Sequence, residues 1–200
     1  MVYARARNSA RSDILAKENG GTGPGESRRN MSEQESRLST DHPKAVRAMT
    51  KSVEAILDAA QQRAREAALP YFGAVTPTEA HALLQARVNS RLVDVRTRAE
   101  WDYVGRVPGS ILIEWNTYPD GARNPRFLDE LRKRCVDLDA PVLFICRSGQ
   151  RSDATARAAK AAGYSMAFNV LEGFEGDRDP EGHRGTLGGW RKAGLPWIQG

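Results

Sequence analysis

The sequence predicts an α/β fold, with a parallel sheet that carries helices on both faces. Two observations lead to this prediction. From residue 70 onward, short apolar stretches alternate with segments of helical spacing, which is the pattern of strand–helix–strand units. One stretch, "PVLFIC", is apolar throughout, as expected for a strand that a parallel sheet buries on both faces. An apolar share of 40% and a charged share of 28% suit such a globular domain.

Residues 1–42 come before this pattern and are predicted to be a disordered leader. They contain "NGGTGPGESRRN" and almost no periodic apolar residues. The first twelve residues hold three arginines and no acidic residue, which resembles a transit peptide, but acidic residues soon follow and no apolar face is present. We therefore favour a leader without a targeting role, or an extension upstream of a start at Met31.

Residues 43–69 are predicted to form one helix, which Pro70 ends. Apolar residues recur in this segment at steps of three and four: Val46, Met49, Val53, Ile56, Leu57 and Ala60. Such a face can pack on the domain that follows, on a partner protein, or on a second copy of the chain. The third arrangement would make a homodimer through this N-terminal helix.

Residues 70–200 are predicted to form the domain itself. Its strands are expected at "RLVDVR", "GSILIEW", "PVLFIC" and "SMAFNVL". Its helices are expected at "TPTEAHALLQA", "RAEWDYV", "NPRFLDELRKRC" and "SDATARAAKAAG", and a last helix is expected to start in "TLGGWRKAG". The first of these helices has a complete start signal: Thr76 as N-cap, Pro77 in the first turn and Glu79 to close a capping box. Gly163 is expected to end the fourth.

Charge and cysteine content exclude several classes of function. Of the net charge of +5, residues 1–30 contribute +3, with six basic and three acidic residues, so the domain has no strongly basic face for nucleic acid. No apolar run approaches the roughly 20 residues of a membrane helix. The three histidines are scattered, so neither a metal nor a cofactor is expected. Two cysteines cannot make a disulfide framework, which predicts a reducing, cytoplasmic setting.

The candidate active site is the cysteine that ends the most apolar strand. In parallel α/β sheets, ligands bind beyond the carboxyl ends of the strands, where Cys146 lies. The loop that follows runs straight into a helix and consists of Arg147, Ser148, Gly149, Gln150 and Arg151. Gly149 permits a backbone turn that directs N–H groups inward, and the helix start and both arginines add positive charge. This combination favours a nucleophilic thiolate that acts on a small anion over a structural cysteine.

The spacing in this loop separates two cysteine chemistries. Cysteine-dependent phosphatases have a similar loop with one more residue between the cysteine and its arginine, sized for a tetrahedral phosphate. Here four residues separate Cys146 from Arg151, and Ser152 occupies the place of the phosphatase arginine. The shorter loop favours a smaller group on the sulfur, which disfavours a phosphatase or an arsenate reductase.

The segment "CRSGQRS" resembles the active-site loop of the rhodanese superfamily, the sulfurtransferases. "LVDVRTRAEWDYVGRVPGSILIEW" is similar to the first signature of that family, and "NVLEGFEG" and "GGWRKAGLPW" are similar to its closing segments. The resemblance covers about residues 71–200 and implies a rhodanese-like parallel sheet. Residues 1–70 have no counterpart in the shared pattern.

The resemblance also implies a mechanism. Cys146 would take the outer sulfur of thiosulfate or a similar small anion as a persulfide, then pass it to cyanide or a thiol. Backbone N–H groups of the loop, including those of Ser148, Gly149 and Gln150, would hold the persulfide. Arg147 and Arg151 would bind the anionic end of the donor.

Three further residues match family positions as support for the site. Asp94 and Arg96 match an Asp-Val-Arg element and Glu100 matches an acidic position, so we expect ion pairs or hydrogen bonds beside the loop. In the Gly-x-x-Pro-Gly turn, Arg106 replaces a common histidine, which should affect the fold more than the chemistry. The stretch at 175–185 is longer than a minimal link, so it is either a surface loop or a border of the pocket.

Two functional alternatives follow. The first is a single-domain sulfurtransferase. The second is a sulfur carrier or partner-docking module with little turnover alone, in which a protein accepts the sulfur and residues 43–69 form the docking element. Cys135, at the end of "LRKRC", is expected to pack inward instead of pairing with Cys146.

Overall fold

The computed structural model describes residues 52–200. The predicted leader and the predicted start of the first helix lie outside the described residues. Helix α1 is described over 52–66. It ends three residues before the predicted end, because Ala68 adopts a left-handed backbone with φ of 49° that turns the chain toward the sheet.

Within residues 52–200, five strands form one parallel sheet, which confirms the predicted fold class. The strands are β1 (Gly73–Val75), β2 (Arg91–Asp94), β3 (Ile111–Leu112), β4 (Val142–Ile145) and β5 (Ala167–Val170), in the spatial order β1-β5-β4-β2-β3. The helices after α1 are α2 (Pro77–Ala86), α3 (Arg98–Tyr103), α4 (Phe127–Arg134) and α5 (Gln150–Ala161). The apolar strand β4 lies at the centre, between β5 and β2, so Cys146 leaves the sheet at its middle.

The strand alternation divides the core into two layers. On β4, Val142, Phe144 and the following Cys146 belong to the layer that α4 and α5 cover. Leu143 and Ile145 belong to the opposite layer, which α1 and α2 cover. Because all of β4 is buried, the strand needs no polar side chain on either face, which is why its sequence is uniformly apolar.

Helix α1 packs on the sheet of its own chain. Ala60 is fully buried, and a Cβ atom added to Gly73 of β1 would lie 2.6 Å from the Ala60 carbonyl oxygen. Arg63 forms a fork with the Glu79 carboxylate, at 2.7 and 2.8 Å, and also donates to the Ala74 carbonyl oxygen. The described part of its apolar face is therefore used within the chain, and dimerisation through this helix stays a prediction.

Two local predictions differ from the structure. The expected last helix in "TLGGWRKAG" is wrong: residues 186–194 form turns. Gly189 has φ of 95°, and an added Cβ there would lie 2.5 Å from the Gly176 nitrogen. The Ala193 N–H donates to the Gly189 carbonyl oxygen, but the next N–H, of Gly194, donates to Arg191, so the chain turns without continuing as a helix. The turns instead place Trp190 in the core. Strand β1 was missed, because its three residues are too short to show a period.

Candidate functional site

Cys146 lies at the carboxyl end of β4 with its sulfur enclosed by the loop that follows. The residue is 1% exposed. Its Sγ accepts a hydrogen bond from the Gly149 N–H at 3.2 Å and lies 3.2 Å from the Ser152 hydroxyl. That hydroxyl is also 3.0 Å from the Gly149 carbonyl oxygen, and its one proton can serve only one of these acceptors at a time. The sulfur therefore has one fixed donor and one that can switch.

Ser152 is a site residue that sequence reasoning did not assign. It is fully buried, on the first turn of α5, and its carbonyl oxygen accepts from the Thr155 hydroxyl. A serine three residues after a loop glycine was a usable signal, because a hydroxyl on the first helical turn can reach back over the loop.

Gly149 determines the shape of the loop. It is the N-cap of α5, with φ of 96° in the left-handed region. In this conformation its N–H points at Cys146 Sγ while its carbonyl oxygen accepts the Asp153 N–H at 3.0 Å. The start of a twelve-residue helix adds partial positive charge at the same place. Both features stabilise negative charge on the sulfur.

The loop that follows β5 supports the cysteine loop through backbone hydrogen bonds. The Phe174 N–H donates to the Cys146 carbonyl oxygen at 2.7 Å, and the Glu175 N–H donates to the Arg147 carbonyl oxygen at 2.9 Å. Gly173 permits this approach, since an added Cβ would lie 2.7 Å from the Ser148 nitrogen. These bonds fix the first two peptide planes of the cysteine loop. They also explain why "EGFEG" carries glycine where the two loops touch.

Arg151 is held by Glu100. Its Nη1 and Nη2 donate to the two carboxylate oxygens at 2.8 and 2.6 Å, and Glu100 also accepts from the backbone N–H and hydroxyl of Thr97. Burial alone would raise the pKa of Glu100, but the hydrogen bonds from Arg151 and Thr97 lower it to about 2. Glu100 thus keeps Arg151 in place as a permanent charge near the thiol. Direct binding of a donor by Arg151 stays a prediction, because both terminal nitrogens already serve Glu100.

Asp94 and Arg96 form an ion pair beneath the loop, and both side chains are fully buried. Arg96 Nη2 lies 2.6 Å from Asp94 Oδ2 and 2.7 Å from the Gly105 carbonyl oxygen. The guanidinium stacks over the Phe174 ring, 4.0 Å from its centroid. Phe174 supports the backbone of Cys146, so the Asp94–Arg96 pair affects the site only through its packing against Phe174. Neither side chain contacts a reacting atom.

The remaining loop residues face outward. Arg147 and Gln150 are exposed, and among the described residues the Arg147 guanidinium has no ion pair or hydrogen bond. This leaves Arg147 available for an anionic ligand. Ser148, Gly149 and Gln150 border a groove of about 870 Å³.

Cys135 differs from Cys146. It ends α4, is 4% exposed, and burial raises the pKa of its thiol to about 11 despite Arg91 and Arg134 nearby. Both cysteines are free thiols. Within residues 52–200, no group of three His, Cys, Asp or Glu side chains could hold a metal ion. Over the same residues, no helix has the length and apolar character to cross a membrane.

Comparison with known proteins identifies a protein family that this chain matches. The family model of the rhodanese-like domain matches residues 76–178. An uncharacterized protein of Rickettsia conorii is 33% identical over 129 residues, which cover 62% of this chain and 94% of the relative. The crystal structure of Rv0390 from M. tuberculosis is 46% identical, with a TM-score of 0.60, covering 65% of this chain and 99% of that one.

Structural neighbours include a sulfurtransferase. The polysulfide-sulfur transferase homodimer from Wolinella succinogenes is 20% identical, with a TM-score of 0.46 over 74% of this chain and 87% of that one.

Proposed function

This chain belongs to the rhodanese-like family, and on that premise we propose that it is a sulfurtransferase that works through a persulfide on Cys146. The Cys146 thiolate attacks the outer sulfur of thiosulfate or a similar donor. A new S–S bond forms on Cys146 while the donor's S–S bond breaks, and sulfite leaves with the electron pair. An acceptor, cyanide or a thiol, then attacks the outer sulfur, and the Cys146 thiolate is the leaving group.

The observation that carries this proposal is the pair of hydrogen-bond donors on Cys146 Sγ. In both half-reactions a thiolate on Cys146 is the reacting species, first as nucleophile and then as leaving group. Donors that stabilise this charge therefore act on both steps. The Gly149 N–H is a fixed donor, while the Ser152 hydroxyl can turn to the Gly149 carbonyl oxygen when the sulfur carries a neutral group.

Two arginines divide the task of attracting the donor. Arg151 is a fixed positive charge, tied to Glu100 at 2.6 Å. Arg147 is exposed and unpaired among the described residues, so it is free to close on an anion. A guanidinium binds sulfonate-like or carboxylate oxygens through two parallel N–H groups. We therefore assign recognition and long-range attraction of the donor to Arg147, whereas Arg151, whose charge Glu100 matches, acts only at short range beside the thiol.

The test is the intact mass of the protein before thiosulfate, after thiosulfate, and again after cyanide. We expect a gain of one sulfur atom that cyanide removes. The gain should be absent in Cys146→Ala and present in the matched control Cys135→Ala. No gain in the wild-type protein would contradict the proposal. A gain that small acceptors fail to remove would favour the carrier alternative, in which a protein takes the sulfur.

A further inference from the structure

Glu172, in the loop after β5, has an unusual backbone conformation. Its φ is 62°, in the left-handed region that residues with a side chain rarely adopt. Among the described residues, Ala68 is the one other non-glycine residue with positive φ. A left-handed backbone is unfavourable for a residue with a Cβ atom, and it persists where surrounding contacts enforce it, often beside functional sites. The contacts of Glu172 therefore indicate what holds this conformation and what it positions.

The segment that begins at Glu172 packs against both ends of the cysteine loop. A Cβ atom placed on Gly149 would lie 3.6 Å from the Glu172 nitrogen. One placed on Gly173 would overlap the Cys146 carbonyl oxygen, so no side chain fits between the two loops there. The Phe174 N–H then donates to the same carbonyl oxygen at 2.7 Å. The backbone position of this segment therefore affects the position of the whole cysteine loop.

The Glu172 side chain ties this segment to the turns near residue 189. Its Oε2 accepts the Gly189 N–H at 2.8 Å. A Cβ atom on Gly188 would lie 2.5 Å from the same oxygen and would displace the carboxylate. Next to this contact, the Trp190 N–H donates to the Gly173 carbonyl oxygen at 2.8 Å, and Trp190 is fully buried. The carboxylate is therefore bound to a part of the chain that the core holds in place.

We propose that Glu172 is a positioning residue for the reaction at Cys146. The proposal rests on the proposed function. The Glu172 carboxylate, bound to the Gly189 N–H, holds the left-handed turn that sets the backbone of the cysteine loop. This turn keeps the Gly149 N–H directed at Cys146 Sγ, so the thiolate is stabilised while sulfur is transferred. Glu172 acts through the segment that follows it and has no hydrogen bond to Cys146 among the described residues.

Substitutions at residue 172 can separate the side-chain bond from the backbone strain. Glu172→Gln keeps an oxygen that can accept the Gly189 N–H. Glu172→Gly removes the bond and the strain together, so the protein should remain folded. Ala68→Gly relieves the same kind of strain at the end of α1, where no side-chain hydrogen bond is lost, and is the matched control.

The first measurement is the rate at which each protein gains sulfur mass from thiosulfate, as a function of donor concentration. We expect Glu172→Gly to lower the saturating rate by about tenfold and to change the half-saturating concentration by less than about threefold, because the lost bond acts on the thiolate. Glu172→Gln should stay within about threefold of the wild-type rate, and Ala68→Gly should match it. The thermal unfolding midpoints of Glu172→Gly and Ala68→Gly should lie within about 4 °C of wild type, so that a difference in rate is not a difference in folding.

The second measurement reports the position of the cysteine loop without any sulfur chemistry. Amide hydrogen exchange is followed in peptides that span residues 146–152. Exchange there should be faster in Glu172→Gly, because the loop loses part of its support. It should keep the wild-type rate in Glu172→Gln and in Ala68→Gly.

The outcomes separate the two proposals. If thiosulfate leaves no sulfur on wild-type Cys146, the proposed function fails, and exchange alone decides whether Glu172 positions the loop: faster exchange in Glu172→Gly supports this role, and unchanged exchange overturns it. If sulfur loads but Glu172→Gly has the wild-type saturating rate, or Glu172→Gln loses as much as Glu172→Gly, only the positioning proposal is overturned. A slow Glu172→Gly beside a Glu172→Gln near wild type, with similar unfolding midpoints, supports both.

Discussion

The two cysteines of this chain share one layer of the core and differ in the groups that face the sulfur. Cys135 follows a helix, where the last turn presents carbonyl oxygens and partial negative charge. Cys146 follows a strand and precedes a helix, so N–H groups face its sulfur. Burial is nearly equal, at 4% and 1% exposed. The comparison shows that the element after a buried cysteine, more than its burial, makes it a candidate nucleophile.

The largest expected effect comes from removing each sulfur in turn. Cys146→Ser should lower thiocyanate formation from thiosulfate and cyanide by at least about 10³-fold, because the nucleophile is lost. Cys135→Ser should keep activity within about twofold, since that thiol touches no part of the loop. Rates of thiocyanate formation for both variants are the measurement. Equal losses in the two variants would remove the distinction between the cysteines.

Two glycines with similar backbone angles can separate the effect of the loop N–H on catalysis from the effect of backbone strain on stability. Gly149 and Gly163 flank α5 with φ of 96° and 102°, and an added Cβ would meet only ordinary contacts at either place. Each change to alanine should cost about 1–2 kcal/mol in free energy of unfolding. Only Gly149→Ala should also slow persulfide formation, by about 10- to 100-fold, because it turns the N–H away from Cys146 Sγ.

The control in this pair is Gly163→Ala, measured by urea unfolding and by the rate of sulfur loading. If Gly163→Ala slowed loading as much as Gly149→Ala does, the loop N–H would have no special role.

Removing the ion pair between Glu100 and Arg151 is expected to have a smaller effect. Glu100→Gln should lower the free energy of unfolding by about 2 kcal/mol and slow turnover by about tenfold, because Arg151 loses its charged anchor. Asp102→Asn breaks an exposed pair with Arg98 at 3.5 Å and should cost less than about 0.5 kcal/mol. Urea unfolding and steady-state rates test both. Wild-type turnover in Glu100→Gln would show that the ion pair has only a structural role.

The smallest expected effect is the pH dependence of the stability that the Glu100–Arg151 pair contributes. In the folded protein the pKa of Glu100 is lowered to about 2 from an ordinary value of 4.5. Its contribution to stability is therefore complete above pH 4.5 and is lost as the pH falls toward 2. The difference in thermal unfolding midpoint between wild type and Glu100→Gln should be constant at neutral pH and shrink over that window. A difference independent of pH would contradict the assignment.

Much of the fold could be predicted because its signals are local. The capping box at Thr76 and Glu79, the uniformly apolar β4 and the loop glycine before α5 all lie within a few residues of the structure that they form. The failures have two causes. Strand β1 is too short to show a period, and the glycines at 188 and 189 serve a close backbone contact that no periodicity reveals.

By itself, the sequence determined the order of strands and helices from α2 to β5, the position of Cys146 at a strand end and the glycine turn that follows. Tertiary structure alone decided that Glu100 meets Arg151, that Phe174 supports Cys146, and that α1 completes a groove beside the loop. The physical reason is the range of the interactions. Caps, turns and strand alternation depend on neighbours along the chain, whereas these contacts join segments that only the packed sheet brings together.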